Sequence, residues 1–256
     1  YYVRKIPGKE VAATKSNIRA ARTAIAAAVL ALAVIAVLWR GAAITSLAAQ
    51  WDARTPISRV KRSDGKLALT FDSGWGEDYT RDVLDILSAR GLRATFFLTG
   101  YWVDGNPDAV QAIIDAGHEV GGHSVTHSRM TGMERAGMIS EIQGVSERIS
   151  AFTGAPTRLF RPPYGDWDLS LLGCVRDCGQ IAVLWSVDAQ SALSAKDMRA
   201  ALDAAGPGDI VLMSLTDENV PEQLPDALDG MLARGLEICT VSELIGISGE
   251  MGAQMA

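Results

Sequence analysis

Cysteine is nearly absent from this chain, with three in 256 residues. Cys174 and Cys178 lie one helical turn apart, a poor geometry for a bridge, and Cys239 sits in an apolar run. A disulfide framework and a cysteine-based zinc site are both disfavoured, and buried free thiols are expected. Histidine is as sparse: His118, His123 and His127 are the full complement, so any imidazole chemistry is confined to one short stretch. No glycine-rich phosphate loop follows the first apolar run, which disfavours a dinucleotide-binding fold. No internal repeat or low-complexity segment is visible.

Positive charge is scarce outside the N-terminus. The chain carries 24 Lys/Arg and 30 Asp/Glu, for a net charge of −6. Seven of the basic residues and a single acid, Glu10, fall within residues 1–40, leaving 17 basic against 29 acidic beyond them. So acidic a main domain argues against nucleic acid or anionic lipid as its chief partner. The N-terminal asymmetry has its own reading. Thr23 to Trp39 carries no charge over 17 residues, the short end of what spans a bilayer. Basic residues precede it, so residues 1–22 are expected in the cytoplasm, 23–39 as a single-pass transmembrane anchor, and everything after Arg40 outside. The competing reading is a signal peptide cleaved near Ser46-Leu47-Ala48, which would release the protein.

Residues 40–66, with Pro56 and Ser63-Asp64-Gly65, read as a linker. From 67 to 248 short apolar runs alternate with helical patterns, and 249–256 reads as a tail. The candidate strands are 67–72, 94–100, 118–121, 158–161, 181–187, 209–214 and 236–241. Between them lie helix-like stretches at 80–90, 108–116, 133–152, 169–178, 195–205 and 222–234. Seven strands alternating with helices predict an α/β fold with a parallel sheet, closed or nearly closed into a barrel. Its site is expected at the strand C-termini.

The polar residues fall at those ends. Asp72 ends the first strand. His123 and His127 follow the third, spaced i, i+4, so that two imidazoles on one helical face or turn reach one divalent ion. Arg161 follows the fourth strand, stiffened by Pro162 and Pro163, and is placed to orient a carboxylate. Asp188 follows the fifth and Ser214 ends the sixth. Each has a plainer reading: a helix cap or surface pair for the histidines, a strand cap for Asp72, a structural salt bridge for Arg161. His118 is expected to hydrogen-bond within the barrel.

Taken together, Thr70-Phe71-Asp72-x-Gly74, His123-Ser124-x-x-His127, Arg161-Pro162-Pro163-Tyr164-Gly165 and Trp185-Ser186-Val187-Asp188 resemble the polysaccharide deacetylases of the NodB-homology type, carbohydrate esterase family four. Ala94-Thr95-Phe96-Phe97, Gly117-His118-Glu119-Val120-Gly121 and Thr240-Val241-Ser242-Glu243-Leu244 agree, and the resemblance spans roughly residues 56–246. It is nearest to bacterial members directed at the cell wall. The resemblance implies a distorted (β/α)7 barrel that removes N-acetyl groups from amino sugars with a divalent metal, zinc above all, with cobalt, nickel or manganese as alternatives. It implies Asp72 as base, Arg161 as its tether, His123 and His127 as metal ligands, and the backbone near Tyr164 as an oxyanion contact. Three positions depart from the family pattern. Ser73 stands in place of a metal-binding Asp, Ser214 in place of a His that serves as general acid, and Ser191-Ala192 in place of the Asp-Trp that partners it. Asp217 and Glu218 are the nearest candidates for a replacement acid. These departures leave an alternative, a catalytically impaired relative acting as a membrane-anchored glycan-binding or wall-scaffold protein.

Overall fold

The computed structural model describes residues 54–76 and 78–247. The expected anchor at 23–39, the basic segment before it and the tail at 249–256 lie outside the described residues. Among the described residues no helix is long and apolar enough to cross a membrane.

In chain order the elements are β1 (Lys66–Asp72), α1 (Thr80–Ser88), β2 (Thr95–Leu98), α2 (Gly100–Gly105), α3 (Pro107–Asp115), β3 (Glu119–Gly122), α4 (Arg135–Thr153), β4 (Leu159–Phe160), a 3-10 turn (Pro163–Gly165), α5 (Leu169–Asp177), β5 (Ile181–Ala182), β6 (Val187–Asp188), α6 (Ala195–Ala204), β7 (Ile210–Ser214), α7 (Asn219–Ala233), β8 (Glu237–Cys239) and α8 (Val241–Ile245). The strands pair in the order β5-β4-β3-β2-β1-β7-β6, and β8 also pairs with β1. Every pairing between named strands is parallel. This parallel α/β half-barrel fits the expected distorted (β/α)7 arrangement.

β1 sits at the centre because its sequence is apolar on both faces, as a strand buried on both sides must be. Leu67, Leu69 and Phe71 join the cluster that includes Val83 and Leu87 of α1, and Phe71 stacks on Phe96 at 5.2 Å. The two-residue period then turns Ala68, Thr70 and Asp72 to the other, inward face. β7 takes one edge of β1, pairing Asp72 with Ser214. On the other edge β2 pairs with Thr70–Asp72 and β8 with Lys66–Ala68.

The structure differs from the sequence reading at three places. The single strand expected at 181–187 is two short ones. Val183 still bonds the Phe160 carbonyl of β4, but Ser186 N–H donates to Ile210 of β7 at 3.0 Å. The chain thus crosses from one sheet edge to the other between them. Second, the barrel begins before Leu67. Ile57 N–H donates to the Ala182 carbonyl, and Leu184 N–H donates to Ile57, so residues expected as linker fill the gap beside β5. Val60 N–H then bonds the Gly208 carbonyl at 2.8 Å. A Cβ on Gly208, whose φ is +83, would lie 1.8 Å from the Val60 carbonyl oxygen, so only glycine fits there. Third, α2 and α8 were not anticipated. Each is only about a turn long, and each is defined by its cap. Thr99 accepts from Trp102 N–H, and Thr240 with Glu243 forms a capping box.

His118 stays inside the structure. Its Nδ1 accepts from Ala94 N–H at 3.2 Å, and burial, with Arg93 adding to it, pushes its pKa from 6.5 to about 4. The three cysteines are free; Cys174 and Cys239 are buried, while Cys178 is only half-buried.

Candidate active site

The inward residues at the strand ends converge on one buried ion pair. Arg161, just past β4, is wholly buried and donates from Nη1 to Asp72 Oδ1 at 2.6 Å. Its Nη2 donates to the Leu184 carbonyl at 3.2 Å. The guanidinium lies 4.0 Å from the Phe97 ring centroid and 5.6 Å from that of Trp185. Its Nε–H has no hydrogen-bond partner among the described residues, and the aromatic faces provide the compensating contact. These demands explain the broken strand: Leu184 must offer its carbonyl to Arg161 while Trp185 packs on Gly165. A Cβ on Gly165 would meet the Trp185 ring at 2.7 Å.

Arg161 also fixes the first histidine. Its carbonyl oxygen lies 2.7 Å from His123 Nδ1. A carbonyl only accepts, so the proton is assigned to Nδ1 and the Nε2 lone pair is left free. That lone pair faces Asp72 Oδ2 at 3.5 Å. The His127 ring stands edge-on to His123, 4.9 Å between centroids, with the exposed Tyr164 ring 4.7 Å beyond it. Burial lowers the pKa of His123, against the pull of Asp72. Burial and then the neighbouring His123 bring His127 to about 4. Both imidazoles are therefore neutral at pH 7, the form that binds metal.

The two histidines do not share a helical face. They sit on an irregular loop, and α4 begins only at Arg135. Ser124 (φ +64) and His127 (φ +55) both adopt left-handed backbone, a strained conformation for residues with a Cβ. Several bonds hold it. Ser124 Oγ accepts from His127 N–H at 2.8 Å. Gly100 and Tyr101 N–H donate to the Ser124 and Val125 carbonyls. Glu141 of α4 accepts from Val125 N–H at 2.8 Å and Thr126 N–H at 2.9 Å through one oxygen, and from Thr126 Oγ at 3.0 Å through the other. Glu141 is the residue that sequence reasoning missed. It lies in mid-helix, fourteen positions after His127, where nothing local separates it from an ordinary solvated charge.

The three serine positions are occupied otherwise. Ser73 Oγ accepts from Thr99 N–H at 2.9 Å, so its hydroxyl is committed to the start of α2. Ser214 Oγ lies 2.9 Å from Thr216 Oγ and accepts from Thr216 N–H. Asp188 accepts from both the N–H and the hydroxyl of Ser191 at 2.8 Å. Asp217 Oδ1 accepts from the backbone and side-chain N–H groups of Asn219 at the start of α7, both at 2.9 Å.

The donor set fits a divalent metal in part. A free imidazole lone pair facing a carboxylate oxygen calls for a cation or a proton between them, and a second neutral imidazole stands beside it. Among the described residues, however, no three His, Cys, Asp or Glu side chains gather closely enough to hold an ion alone. His123 and His127 would hold it, and water or substrate oxygen would complete its shell.

A parallel barrel with a buried carboxylate–guanidinium pair and two neutral histidines at its mouth has the parts of a hydrolase that activates water. Comparison with known proteins narrows the class. The model of the polysaccharide deacetylase family matches residues 59–183. A chitooligosaccharide deacetylase from Bradyrhizobium sp. (strain ANU 289) is 33% identical over 213 residues, 74% of this chain and 97% of that protein. The peptidoglycan-N-acetylmuramic acid deacetylase PdaA of Bacillus subtilis is 30% identical over 184 residues, 69% of this chain and 70% of that protein. A solved carbohydrate esterase family four pseudoenzyme from Bacillus anthracis has a TM-score of 0.71 at 28% identity, covering 76% of this chain and 70% of that one. A mutant of it with restored enzymatic activity matches equally well, at 29% identity. The chain belongs to the polysaccharide deacetylase family, a family of N-deacetylating hydrolases.

Glu141→Ala orphans two backbone amides and frees the strained loop. Partners that orient metal ligands typically contribute about 10–100-fold to affinity, so the variant is expected to bind zinc on the order of tenfold more weakly in competition with a chromophoric chelator. Unchanged zinc affinity would show that the loop holds its shape without Glu141.

Proposed function

We propose that this protein removes N-acetyl groups from amino sugars of a cell-wall polysaccharide of the peptidoglycan type. The observation that carries the reading is the buried Arg161–Asp72 pair, 2.6 Å between Nη1 and Oδ1, with the second carboxylate oxygen facing His123. The relatives named above supply the substrate class.

Arg161 occupies Asp72 Oδ1 and fixes the plane of the carboxylate, so Oδ2 is the oxygen left to take a proton from water. The water oxygen attacks the acetyl carbonyl carbon as that proton moves to Asp72. A divalent metal held by His123 and His127 would polarise the acetyl carbonyl and lower the pKa of water. Tyr164, at φ +62 in the 3-10 turn, would present its backbone to the developing oxyanion. Breaking the C–N bond then requires a proton on the departing amine. Ser214 cannot supply it near pH 7, so the proton returns from Asp72. Acetate and a free amino sugar leave. Asp72 must then serve as both base and acid; a separate acid tuned for donation typically contributes about 10²–10⁴-fold, so turnover is expected to be slow.

The committed hydroxyls of Ser73 and Ser214 favour a second reading, a glycan-binding relative with little or no turnover. Acetate release from N-acetylated glycan fragments, with and without added Zn²⁺ or Co²⁺, separates the two. Slow metal-stimulated release, abolished in Asp72→Asn, is expected. No release with any metal, alongside retained glycan binding, would sink the enzymatic reading.

We further propose that residues 23–39 anchor the protein in a bacterial cell membrane with the barrel outside. The run of 17 uncharged residues behind a basic segment supports this. Cell fractionation is expected to place the full-length chain in the membrane and the barrel within reach of added protease on intact spheroplasts. Recovery of a shortened chain in the medium would point to signal cleavage instead.

A further inference from the structure

Two large aromatic side chains stand in the open beside the site without a role in it. Trp75 is 66% exposed and Tyr101 50%. Their ring centroids are 5.7 Å apart and the planes tilt by 55°. Exposing so much aromatic surface is unfavourable unless something covers it.

The pair is held in place from beneath. Trp75 lies three residues after Asp72, on the loop leaving β1, and Tyr101 is the second residue of α2. Ser73 joins the two segments: its hydroxyl accepts from Thr99 N–H at 2.9 Å, and its own N–H donates to the Phe97 carbonyl at 3.0 Å. Beyond Trp75, Asp78 accepts from Trp102 Nε1 at 3.0 Å and Thr80 N–H at 2.7 Å. Tyr79 N–H then bonds the Leu215 carbonyl. The Tyr101 backbone donates to Val125 in the histidine loop. Both rings are thus mounted on backbone tied at several points to the candidate active site. A rigid aromatic surface contributes contact at low entropic cost.

We propose that Trp75 and Tyr101 form an aromatic platform that binds a neighbouring sugar ring of the glycan, one or more units away from the acetyl group at Asp72. The occupant follows from position and chemistry. Three residues span at most about 11 Å, so the platform lies within reach of adjoining sugars of any chain bound at Asp72. Pyranose rings present flat faces of C–H groups that stack on aromatic faces. Ser73 and Gly74 join the platform directly to Asp72 along the chain. Ser73, whose hydroxyl is committed to Thr99, thereby acts as a positioning residue for the platform. This inference rests on the glycan reading of the site but not on turnover.

The test is equilibrium binding, by calorimetry, of linear N-acetylated amino-sugar oligomers to wild type, Trp75→Ala, Tyr101→Ala and Trp75→Phe. Leu232→Ala, at the far end of α7, serves as control. Wild type is expected to bind a hexasaccharide more tightly than a disaccharide. Each alanine variant should lose about tenfold for the hexasaccharide, the scale of one aromatic contact, with the disaccharide unchanged. Trp75→Phe should recover most of the loss. Equal hexasaccharide affinity in wild type and both alanine variants would overturn the platform, as would wild-type binding that does not depend on length. Because the readout needs no hydrolysis, length-dependent binding through Trp75 without acetate release would support the platform and count against catalysis. Acetate release with unaltered binding in the variants would do the reverse.

Discussion

Everything at the mouth of this barrel depends on one buried ion pair. Arg161 has no exposed surface, and a guanidinium so placed is tolerated only when its charge is met. Asp72 meets it through Oδ1 and the Leu184 carbonyl takes a second N–H, while Phe97 and Trp185 lie near its faces. Removing one partner of such a pair typically costs about 3–5 kcal/mol, because the other charge is left buried and unpaired. The same residue then sets the tautomer of His123 through its backbone carbonyl. Asp72, Arg161 and His123 are therefore a single mechanical unit, and the interruption of the strand at Val183–Ser186 is what brings the Leu184 carbonyl and Trp185 to it.

The second imbalance lies in the histidine loop. Among the described residues, two of the three non-glycine residues with positive φ, Ser124 and His127, lie in that loop, and the third is Tyr164, whose ring packs on His127. Strain gathered in one place needs support from outside. Here it comes from α2, through Gly100 and Tyr101, and from Glu141 on α4. The short helix α2 links the halves of the mouth: its N-terminal end receives Ser73 on one side and the histidine loop on the other.

Much of this was legible in the sequence, and the reasons are physical. The alternation of apolar runs with helical periods marked the central strands, because β1, β2 and β7 are buried on both faces and read as continuous hydrophobic stretches. The chemistry-bearing residues stood out because polar groups at strand ends interrupt those runs. What was not legible depended on long-range contacts. The division of 181–187 follows from demands made by Arg161 and Gly165, which no local pattern carries. Ile57–Val60 joins the barrel through backbone bonds to Ala182, Leu184 and Gly208 and an ion pair from Arg59 to Asp209, all distant in sequence. Glu141 acts across a gap in sequence that only the fold closes. The serines at 73, 191 and 214 were visible as departures, but the sequence did not reveal that each hydroxyl is bound within its own neighbourhood.

The site that results is uneven. The proposed base, Asp72, is buried and braced by Arg161, whereas at the positions where the resemblance implies a proton donor and its partner, Ser214 accepts from Thr216 N–H and Ser191 donates to Asp188. The most direct test is the rate of acetate release from N-acetylated glycan by the double variant Ser214→His, Ser191→Asp, measured against wild type at saturating zinc. Restoring the acid and its partner is predicted to raise the rate by about 10²–10⁴-fold, the usual contribution of general acid–base catalysis. An unchanged rate, in a variant that folds and still binds glycan, would contradict the claim that a dedicated proton donor is what this site lacks.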